Sequence, residues 1–197
     1  MTVLNTKSKM ISDLDIKTIV EQVQTGDIHA YTEIIRCFQK PIYIYCYYLL
    51  GSKEEAEDAS QDIFIKGLEN ISNFTFTASF SAWLYKIAHH HCIDLIKNKN
   101  KVYKFWTGFK KDHTNQTHSQ ESRYDNIIHE LLEKLNGDEK RILLLRSIEE
   151  YSFDEIASIM GLKTTTVRKK YERLRKKLMK ENILGGDIYG HSFKAGG

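Results

Sequence analysis

The stretch SFDEIASIMGLKTTTVRKKYERLRKKL, residues 152–178, decides the fold of the second half of the chain. Ser152 and Glu155 stand three residues apart ahead of an apolar run, which is the pattern of a capping box at a helix start. Gly161 follows at the distance of a short helix and permits a tight turn. Because a second amphipathic segment begins directly after this turn, the sequence predicts a helix-turn-helix.

The second helix of this motif combines a narrow apolar side with a broad basic side. Thr164 or Thr165 can cap its start, and its apolar residues then recur at intervals of four, three and four, which places them on one face. These apolar residues are Val167, Tyr171, Leu174 and Leu178. Nine basic residues and one acidic residue lie between 163 and 180, so the exposed side of the helix is predicted to be strongly cationic.

A cationic helix of this kind fits the major groove of duplex DNA, which is wide enough to admit it. Arg168 and Arg173 can each bond a guanine edge with two hydrogen bonds. Three other basic residues are expected to bind phosphates, namely Lys170, Arg175 and Lys177. The alternative is a basic amphipathic helix that packs in a bundle. The predicted DNA contacts are Thr164, Thr165, Arg168, Lys169, Lys170, Glu172, Arg173 and Lys176.

Apolar residues recur at helical spacing along most of the chain, and no alternating run predicts a sheet. A single proline in 197 residues agrees with long helices. Pro41 is predicted to start a helix and Ser52 to cap the next one. The helices predicted before the helix-turn-helix cover about 13–24, 28–39, 41–50, 53–69 and 80–98.

The helical pattern collapses after Asn98 into polar residues with a short aromatic cluster, which is typical of a tether. The fold class is therefore predicted to be all-α, with two small helical domains joined by a flexible linker. The predicted ranges are an N-terminal helical bundle over 1–98, a linker over 99–122, a C-terminal helix-turn-helix domain over 123–182 and a mobile tail over 183–197.

Charge is segregated along the chain, although the net charge is only +3. Acidic residues outnumber basic ones in residues 1–80 and 121–162, whereas basic residues outnumber acidic ones in 81–120 and 163–180. A basic surface gains affinity for a polyanion by releasing its counterions. Nucleic acid is therefore the leading class of partner.

Several other classes are disfavoured by the sequence. No apolar run approaches the length of about 18 residues that spans a membrane, and the N-terminus lacks the apolar core of an export signal, so a cytoplasmic protein is predicted. Cys37, Cys46 and Cys92 show no metal-ligand spacing and are predicted to be reduced, buried small residues. Without a nucleophile elbow or a phosphate-binding glycine loop, neither an enzyme nor a cofactor is expected.

The segment AEDASQDIFIKGLENI, residues 56–71, predicts a helix face that mixes acidic and apolar residues. Its members recur at intervals of three, one, three and four, which brings them to one side of a helix. They are Asp58, Gln61, Asp62, Ile65 and Glu69. Such a face suits docking onto a basic protein surface better than binding to nucleic acid.

The segment SFSAWLYKIAHHHCIDLIKNK, residues 79–99, follows a polar and aromatic loop that contains Asn73, Phe74 and Phe76. Aromatic rings in such a setting can stack on unpaired bases, which contributes about 1–3 kcal/mol per base. The alternative for an aromatic residue in a helix is core packing, and for Trp83 this is at least as good an account.

The chain resembles an extracytoplasmic-function sigma factor, the smallest class of bacterial RNA polymerase sigma subunits. Residues 56–71 are similar to the family's polymerase-binding helix, residues 79–99 to its promoter-melting and −10 helix, and residues 127–178 to its −35 domain. The resemblance covers about residues 25–180, with the motifs in the family's order. It implies a protein without catalysis of its own that guides core RNA polymerase to promoters.

The resemblance assigns the acidic face and the basic helix to different partners. Asp58, Gln61 and Asp62 would face the coiled coil of the polymerase β′ subunit, and the β flap would be a further polymerase contact. The DNA contacts named for the helix-turn-helix fall where the family contacts the −35 element. An inhibitory anti-sigma factor is a further implied partner.

The resemblance also implies a set of −10 contacts. The loop from Asn73 to Ser79 corresponds to the loop that captures a flipped −10 base in the family. The family's usual Arg-Asn pair is replaced by His89 and His90, whose charge changes near neutral pH and would make contacts there pH-sensitive. The implied contacts are Asn73, Phe74, Phe76, Ser79, Lys86, His89, His90 and Lys97.

Two other functions stay open from the sequence. A two-domain transcription regulator would bind operators through the same helix-turn-helix without any polymerase. A metalloenzyme would draw on the run from His89 to Cys92 together with Asp94. However, only His90 and Asp94 share a helix face, and the sequence offers no second cluster of ligands.

Overall fold

The structure is a computed structural model, and it describes residues 13–107, 128, 130–147 and 149–180. Within these residues the chain is helical and contains no strand, which confirms the predicted all-α class. Short 3-10 turns follow the first and third helices, at Ile28–Ala30 and Ile71–Asn73. The helices are α1 (Asp13–Gln24), α2 (Tyr31–Leu50), α3 (Lys53–Asn70), α4 (Phe80–Thr107), α5 (Gly137–Ser147), α6 (Phe153–Met160) and α7 (Thr164–Lys180).

The chain divides into two compact units, which meet in sequence between residues 120 and 121. The first unit contains α1 to α4, and the second contains most residues of α5 to α7. None of the helices within the described ranges is long and apolar enough to cross a bilayer. The predicted tail over 183–197 lies outside the described residues.

The second helix differs from its prediction, because Pro41 lies inside α2 rather than at the start of a new helix. Proline has no N–H, so the carbonyl of Cys37 loses its usual partner four residues later. Phe38 and Ile42 are buried on either side of this point and hold the helix together by packing. Tertiary packing therefore outweighs the local cost of the proline. The helix ends as predicted at Gly51, which has a left-handed φ of 76°.

The fourth helix also differs from its prediction, because α4 continues to Thr107 instead of ending near residue 98. The predicted linker therefore begins within a helix, and its remaining part, residues 108–122, lies outside the described residues. Apolar periodicity could not detect this extension, since the sequence of the added turns, KNKVYKFWT at 99–107, has three lysines and no regular apolar spacing.

The core of the first unit lies between α2, α3 and α4. Its largest fully buried side chains include Tyr45, Ile63 and Leu84, one from each of these helices. The side chain of Gln24, at the end of α1, donates hydrogen bonds of 2.8 Å and 3.0 Å to the carbonyl oxygens of Ile71 and Phe74. These bonds fix the start of the loop that leads into α4.

The second unit is built on helices with reciprocal caps. The backbone N–H of Ser152 donates to the Glu155 carboxylate at 2.8 Å, and the N–H of Glu155 donates to the Ser152 hydroxyl at 3.2 Å, which confirms the predicted capping box. Asn136 and Glu139 form the same two-way arrangement at 3.0 Å in each direction. The break in periodicity at Asn136 is therefore the capped start of α5.

The helix-turn-helix forms as predicted, with Gly161 at a φ of 64° between α6 and α7. The predicted cap at Thr164 or Thr165 is wrong, because the first bonds of α7 are accepted by the carbonyl of Lys163. The hydroxyl of Thr164 instead donates to the Asp154 carboxylate at 2.7 Å. This bond ties the start of α7 to α6 and fixes the turn between them.

Candidate functional site

The predicted acidic face is present on α3. The side chains that pack inward, including Ala56, Ala59 and Ile63, are at most 1% exposed. Ile65 is 56% exposed, although it is a large apolar residue. Single exposed apolar residues are common on protein surfaces, so the signal is the combination of Ile65 with several carboxylates on one side of the helix. The face consists of Asp58, Gln61, Asp62, Ile65 and Glu69, all of which are exposed, and we call it the α3 face.

The loop before α4 is organised by Phe74, which corrects one predicted DNA contact. Phe74 is only 5% exposed, and its ring lies 5.3 Å from those of Phe80 and Trp83 and 5.0 Å from that of Phe76. It is therefore a core residue that supports the loop and is not free to stack on a base. Phe76 is 43% exposed and Asn73 is also exposed, so these two side chains can reach a ligand.

Ser79 has a structural role at the start of α4. Its hydroxyl accepts a hydrogen bond of 3.2 Å from the backbone N–H of Ala82, as a helix cap does. Farther along α4, Lys86 and Lys97 are exposed, and Lys97 lies 3.7 Å from Asp94 one turn earlier. Both ammonium groups remain on the surface where an anion could meet them.

The three consecutive histidines of α4 point in different directions. His89 is 6% exposed, and its ring lies 3.4 Å from the hydroxyl of Tyr45, so the predicted DNA contact of His89 is wrong. A helix turns about 100° per residue, which is why the neighbouring residue faces solvent. His90 is exposed, and its ring nitrogen Nδ1 donates to the carbonyl of Lys86 at 2.7 Å.

The different directions of the three histidines also bear on the alternative of a metalloenzyme. Across the described residues, no group of three or more His, Cys, Asp and Glu side chains is arranged to hold a metal ion. The cysteines are free thiols, and the sulfur atoms of Cys46 and Cys92 lie 3.6 Å apart in the core. Cys37 is half-buried, in contrast to the predicted full burial.

The predicted basic surface is present on α7. Val167, Leu174 and Leu178 are buried as predicted, so the charged residues point outward. We give the name α7 face to six exposed residues, Thr165, Arg168, Lys169, Glu172, Arg173 and Lys176, and Arg175, Met179 and Lys180 near the end of the helix are exposed as well. The sequence is therefore sufficient to predict the exposure of these six residues from the narrow apolar stripe.

Two lysines of α7 that are predicted to bind phosphates also make contacts within their own unit. The ammonium of Lys170 lies 2.7 Å from the Asp138 carboxylate, and that of Lys177 donates to the carbonyl of Lys134 at 2.8 Å. The hydrogen bond from Lys170, aided by the charge of Arg141, holds the pKa of Asp138 below its usual value. Both lysines therefore link α7 to the rest of its unit, and both side chains stay more than a third exposed.

Sequence reasoning missed the support beneath Arg168. The guanidinium of Arg168 lies 5.5 Å from the centre of the Phe153 ring, and that of Arg146 lies 4.9 Å from the same ring. Such cation–π contacts contribute about 0.5–1 kcal/mol at exposed sites. The ring of Tyr171, at 5.3 Å, completes the cluster and links it to the apolar stripe of α7. Phe153 therefore limits the positions that Arg168 can occupy.

Comparisons with known proteins agree with this two-part arrangement. The family model for Sigma-70 region 2 matches residues 34–102, and the model for Sigma-70 region 4 matches residues 125–178. The first match contains the α3 face and the loop before α4, and the second contains the helix-turn-helix. The chain is also 30% identical over 182 residues to the ECF RNA polymerase sigma factor SigW of Bacillus subtilis, covering 86% of this chain and 97% of that protein.

This chain belongs to the extracytoplasmic-function sigma factors. A second relative, the RNA polymerase sigma factor YlaC of Bacillus subtilis, is 31% identical over 156 residues, which are 75% of this chain and 89% of that protein. As a sigma factor, the chain works with core RNA polymerase and recognises promoter DNA. It is a transcription initiation factor that contains both Sigma-70 region 2 and Sigma-70 region 4.

Solved structures show the same fold. The sigma factor RpoE of Bartonella quintana, in complex with the anti-sigma factor NepR, gives a TM-score of 0.68 at 17% identity, covering 81% of this chain and 99% of that one. CnrH, in complex with the cytosolic domain of CnrY, gives a TM-score of 0.64 at 18% identity, covering 87% of this chain and 97% of that one.

Proposed function

We propose that this sigma factor divides its work between its two units, with the α3 face docking on core RNA polymerase and the α7 face reading the −35 element. The observation that carries the proposal is the opposite character of these two exposed faces. The α3 face is acidic with one apolar residue, and the α7 face is polar and predominantly cationic. A carboxylate surface repels DNA phosphates, whereas a cationic helix attracts them.

The polymerase contact would be made with the coiled coil of the β′ subunit. Ile65 supplies apolar area at the centre of the α3 face, and Asp58 and Asp62 supply charge about two turns and one turn before it on the same helix. Buried apolar contacts of this kind provide affinity, while the surrounding charges select the partner and speed association. The β flap is the further polymerase contact that we propose, for the second unit.

The −35 contact would be made by the exposed residues of the α7 face. Arg168 and Arg173 would bond guanine edges, and Lys169 and Lys176 would contact phosphates beside them. Arg168 is supported in this role by the Phe153 ring, which reduces the number of conformations that binding must exclude. Lys170 would contact a phosphate while also paired with Asp138, whose carboxylate lies 2.7 Å from its ammonium.

Promoter melting would follow from capture of unpaired bases at the loop before α4. Asn73 and Phe76 are exposed there, with Lys86 and His90 on the adjoining helix. Extruding a base costs a few kcal/mol, and stacking on an aromatic ring with hydrogen bonds to the base edge can offset that cost. Ser79 and Phe74 would act by shaping the loop.

The proposed mechanism needs no bond chemistry from this chain, so we propose that it is not an enzyme and needs no cofactor. Its place of action would be the cytoplasm, where a bacterial polymerase meets the chromosome. We also propose an anti-sigma partner. Such a protein would cover the α3 face and would therefore compete directly with polymerase. Displacement of bound core polymerase by such a protein would test this part.

The proposal is tested by transcription from purified core polymerase with and without this chain. The template would be a promoter found by mapping transcription starts after overproduction of the protein. We expect specific transcription starts only when the chain is present. Insertion of about half a helical turn of DNA between the −35 and −10 elements should abolish these starts. Two tethered contacts gain avidity only at the right separation. Binding to operator DNA without any binding to core polymerase would instead support the alternative of a two-domain transcription regulator.

A further inference from the structure

The third histidine of α4 lies against the α3 face. His91 has a side chain that is only 9% exposed, and it packs beside two residues of α3 that are one turn apart. The ammonium of Lys66 lies 2.5 Å from the ring nitrogen Nδ1. The other ring nitrogen, Nε2, is buried and lies 3.4 Å from the carboxylate of Asp62, whose own side chain is 58% exposed.

These contacts define the protonation state of His91. An ammonium group has only donors, so Nδ1 must accept the hydrogen bond from Lys66 with its lone pair. The imidazole is therefore neutral, and its single proton is on Nε2, which faces Asp62. In this state one ring holds the Lys66 ammonium on one side and presents an N–H to the carboxylate on the other.

We propose that neutral His91 is a positioning residue of the polymerase-binding surface, which keeps Lys66 bound to itself and so leaves the Asp62 carboxylate available to core RNA polymerase. Lys66 lies four residues after Asp62 on the same helix, within reach of a direct ion pair. When protonation of His91 prevents Nδ1 from accepting the hydrogen bond of Lys66, the Lys66 ammonium is released and can neutralise the charge of Asp62. The inference rests on the proposed docking role of the α3 face.

The position makes docking sensitive to pH. The charged groups acting on His91 are Lys66 and Asp62 from α3 and Asp94 from α4 itself. Burial lowers the pKa of His91 below its ordinary value, and the Lys66 ammonium lowers it further, while the carboxylates of Asp62 and Asp94 oppose this. The folded protein therefore resists protonation of His91. The contribution to folding stability is complete above about pH 6.5 and is lost as the pH falls below it, whereas the docking surface of the folded protein changes only as the pH falls through the lowered pKa of His91.

The sequence offers a second histidine as a control for variants of His91. His29 lies in the 3-10 turn at Ile28–Ala30 and is exposed, away from the α3 face in the sequence. The His91→Gln variant keeps an acceptor for Lys66 and a donor for Asp62 but cannot titrate. The His91→Leu variant removes both groups with little change in volume. His29→Gln makes the first substitution at the exposed position.

The experiment measures the affinity of each full-length variant for core RNA polymerase between about pH 5 and about pH 8, because the lowered pKa of His91 moves its titration below neutral pH. Each affinity is divided by that of a His29→Gln protein at the same pH, which removes the titration of the polymerase itself. We expect wild type to match His29→Gln throughout. His91→Gln should match it near pH 8 and should bind about threefold more tightly than it near pH 5. His91→Leu should bind about threefold more weakly near pH 8.

Two results would overturn the inference. One is a His91→Gln protein with the same pH dependence as wild type, and the other is a His91→Leu protein with wild-type affinity near pH 8 and an unchanged melting temperature. If His91→Leu is poorly folded, the pH profile of His91→Gln decides alone. An Asp62→Lys protein separates the two proposals: unchanged affinity removes the docking face itself, whereas weakened affinity with normal His91 variants removes only the role of His91.

Discussion

The α3 face and the α7 face are built in the same way and differ in what they display. Each lies on a long amphipathic helix whose inner residues are buried, including Ile63 on α3 and Leu174 on α7. The α3 face displays carboxylates around an exposed isoleucine, whereas the α7 face displays four basic residues and no large apolar side chain. Shared architecture with opposite surface chemistry allows one chain to bind a protein and a polyanion without confusing them.

The two faces also differ in how their charges are held. On α7, Asp138 and Glu139 engage the inward lysines Lys170 and Lys177, and Phe153 lies beneath Arg168. On α3, the corresponding support comes from a neighbouring helix, through His91. The side chains proposed to read DNA are therefore supported by ion pairs and an aromatic ring, and those proposed to bind polymerase are supported by a histidine that can titrate.

Reversal of the charges that read DNA should have the largest effect. We expect the double change Arg168→Glu and Arg173→Glu to reduce promoter-specific initiation by more than about 100-fold, because each guanine contact is worth about 1–3 kcal/mol and repulsion is added to its loss. The measurement is run-off transcription with core polymerase. Lys180→Glu at the end of α7 is the matched control, and loss of polymerase binding by the double variant would show that the two faces are not separable.

Reversal of charge on the α3 face should have the opposite result. The double change Asp58→Lys and Asp62→Lys should weaken the affinity for core polymerase by at least about tenfold, since it replaces attraction by repulsion at a protein interface. Binding of the isolated −35 DNA should be unchanged. Glu21→Lys serves as control, because Glu21 is an exposed carboxylate on α1 and not on α3. Equal loss with Glu21→Lys would mean that net charge, and not this face, attracts the polymerase.

A smaller change should distinguish base capture from both docking contacts. Asn73→Ala should slow opening of a duplex promoter by about tenfold, the size of one lost base contact, while a template already melted around the start is used normally. Permanganate reactivity of unpaired thymines provides the measurement, with Ser72→Ala as the control. Equal loss on both templates would argue that Asn73 supports the loop and does not capture a base.

Removal of the aromatic support should give the smallest effect. Phe153→Leu should lower the affinity for −35 DNA by about threefold, because Arg168 loses a cation–π contact but keeps its charge. Phe153→Tyr keeps the ring and should restore the affinity. Fluorescence anisotropy of a labelled −35 duplex measures both. If the Phe153→Leu variant binds −35 DNA as tightly as wild type does, the DNA contact of Arg168 does not depend on the Phe153 ring.

The sequence was sufficient for the parts of the fold that depend on local spacing. The limits of α1 and α3, the capping box at Ser152 and Glu155, and the turn at Gly161 were predicted from short patterns and are present. Such features depend on residues within a few positions of each other, so one chain segment contains all the necessary information. Pro41 is the exception, because the packing that keeps α2 continuous comes from other helices.

What the sequence by itself determined is the helical character of the chain and which residues of α3 and α7 face outward, since helical periodicity fixes the side of each residue. Only the tertiary structure decided which outward or polar residues are free to act. His89 is buried against Tyr45 of α2, 44 residues earlier in the chain, and Lys170 and Lys177 contact groups more than thirty residues away. Contacts between residues so far apart leave no local pattern, which is why they had to be seen in three dimensions.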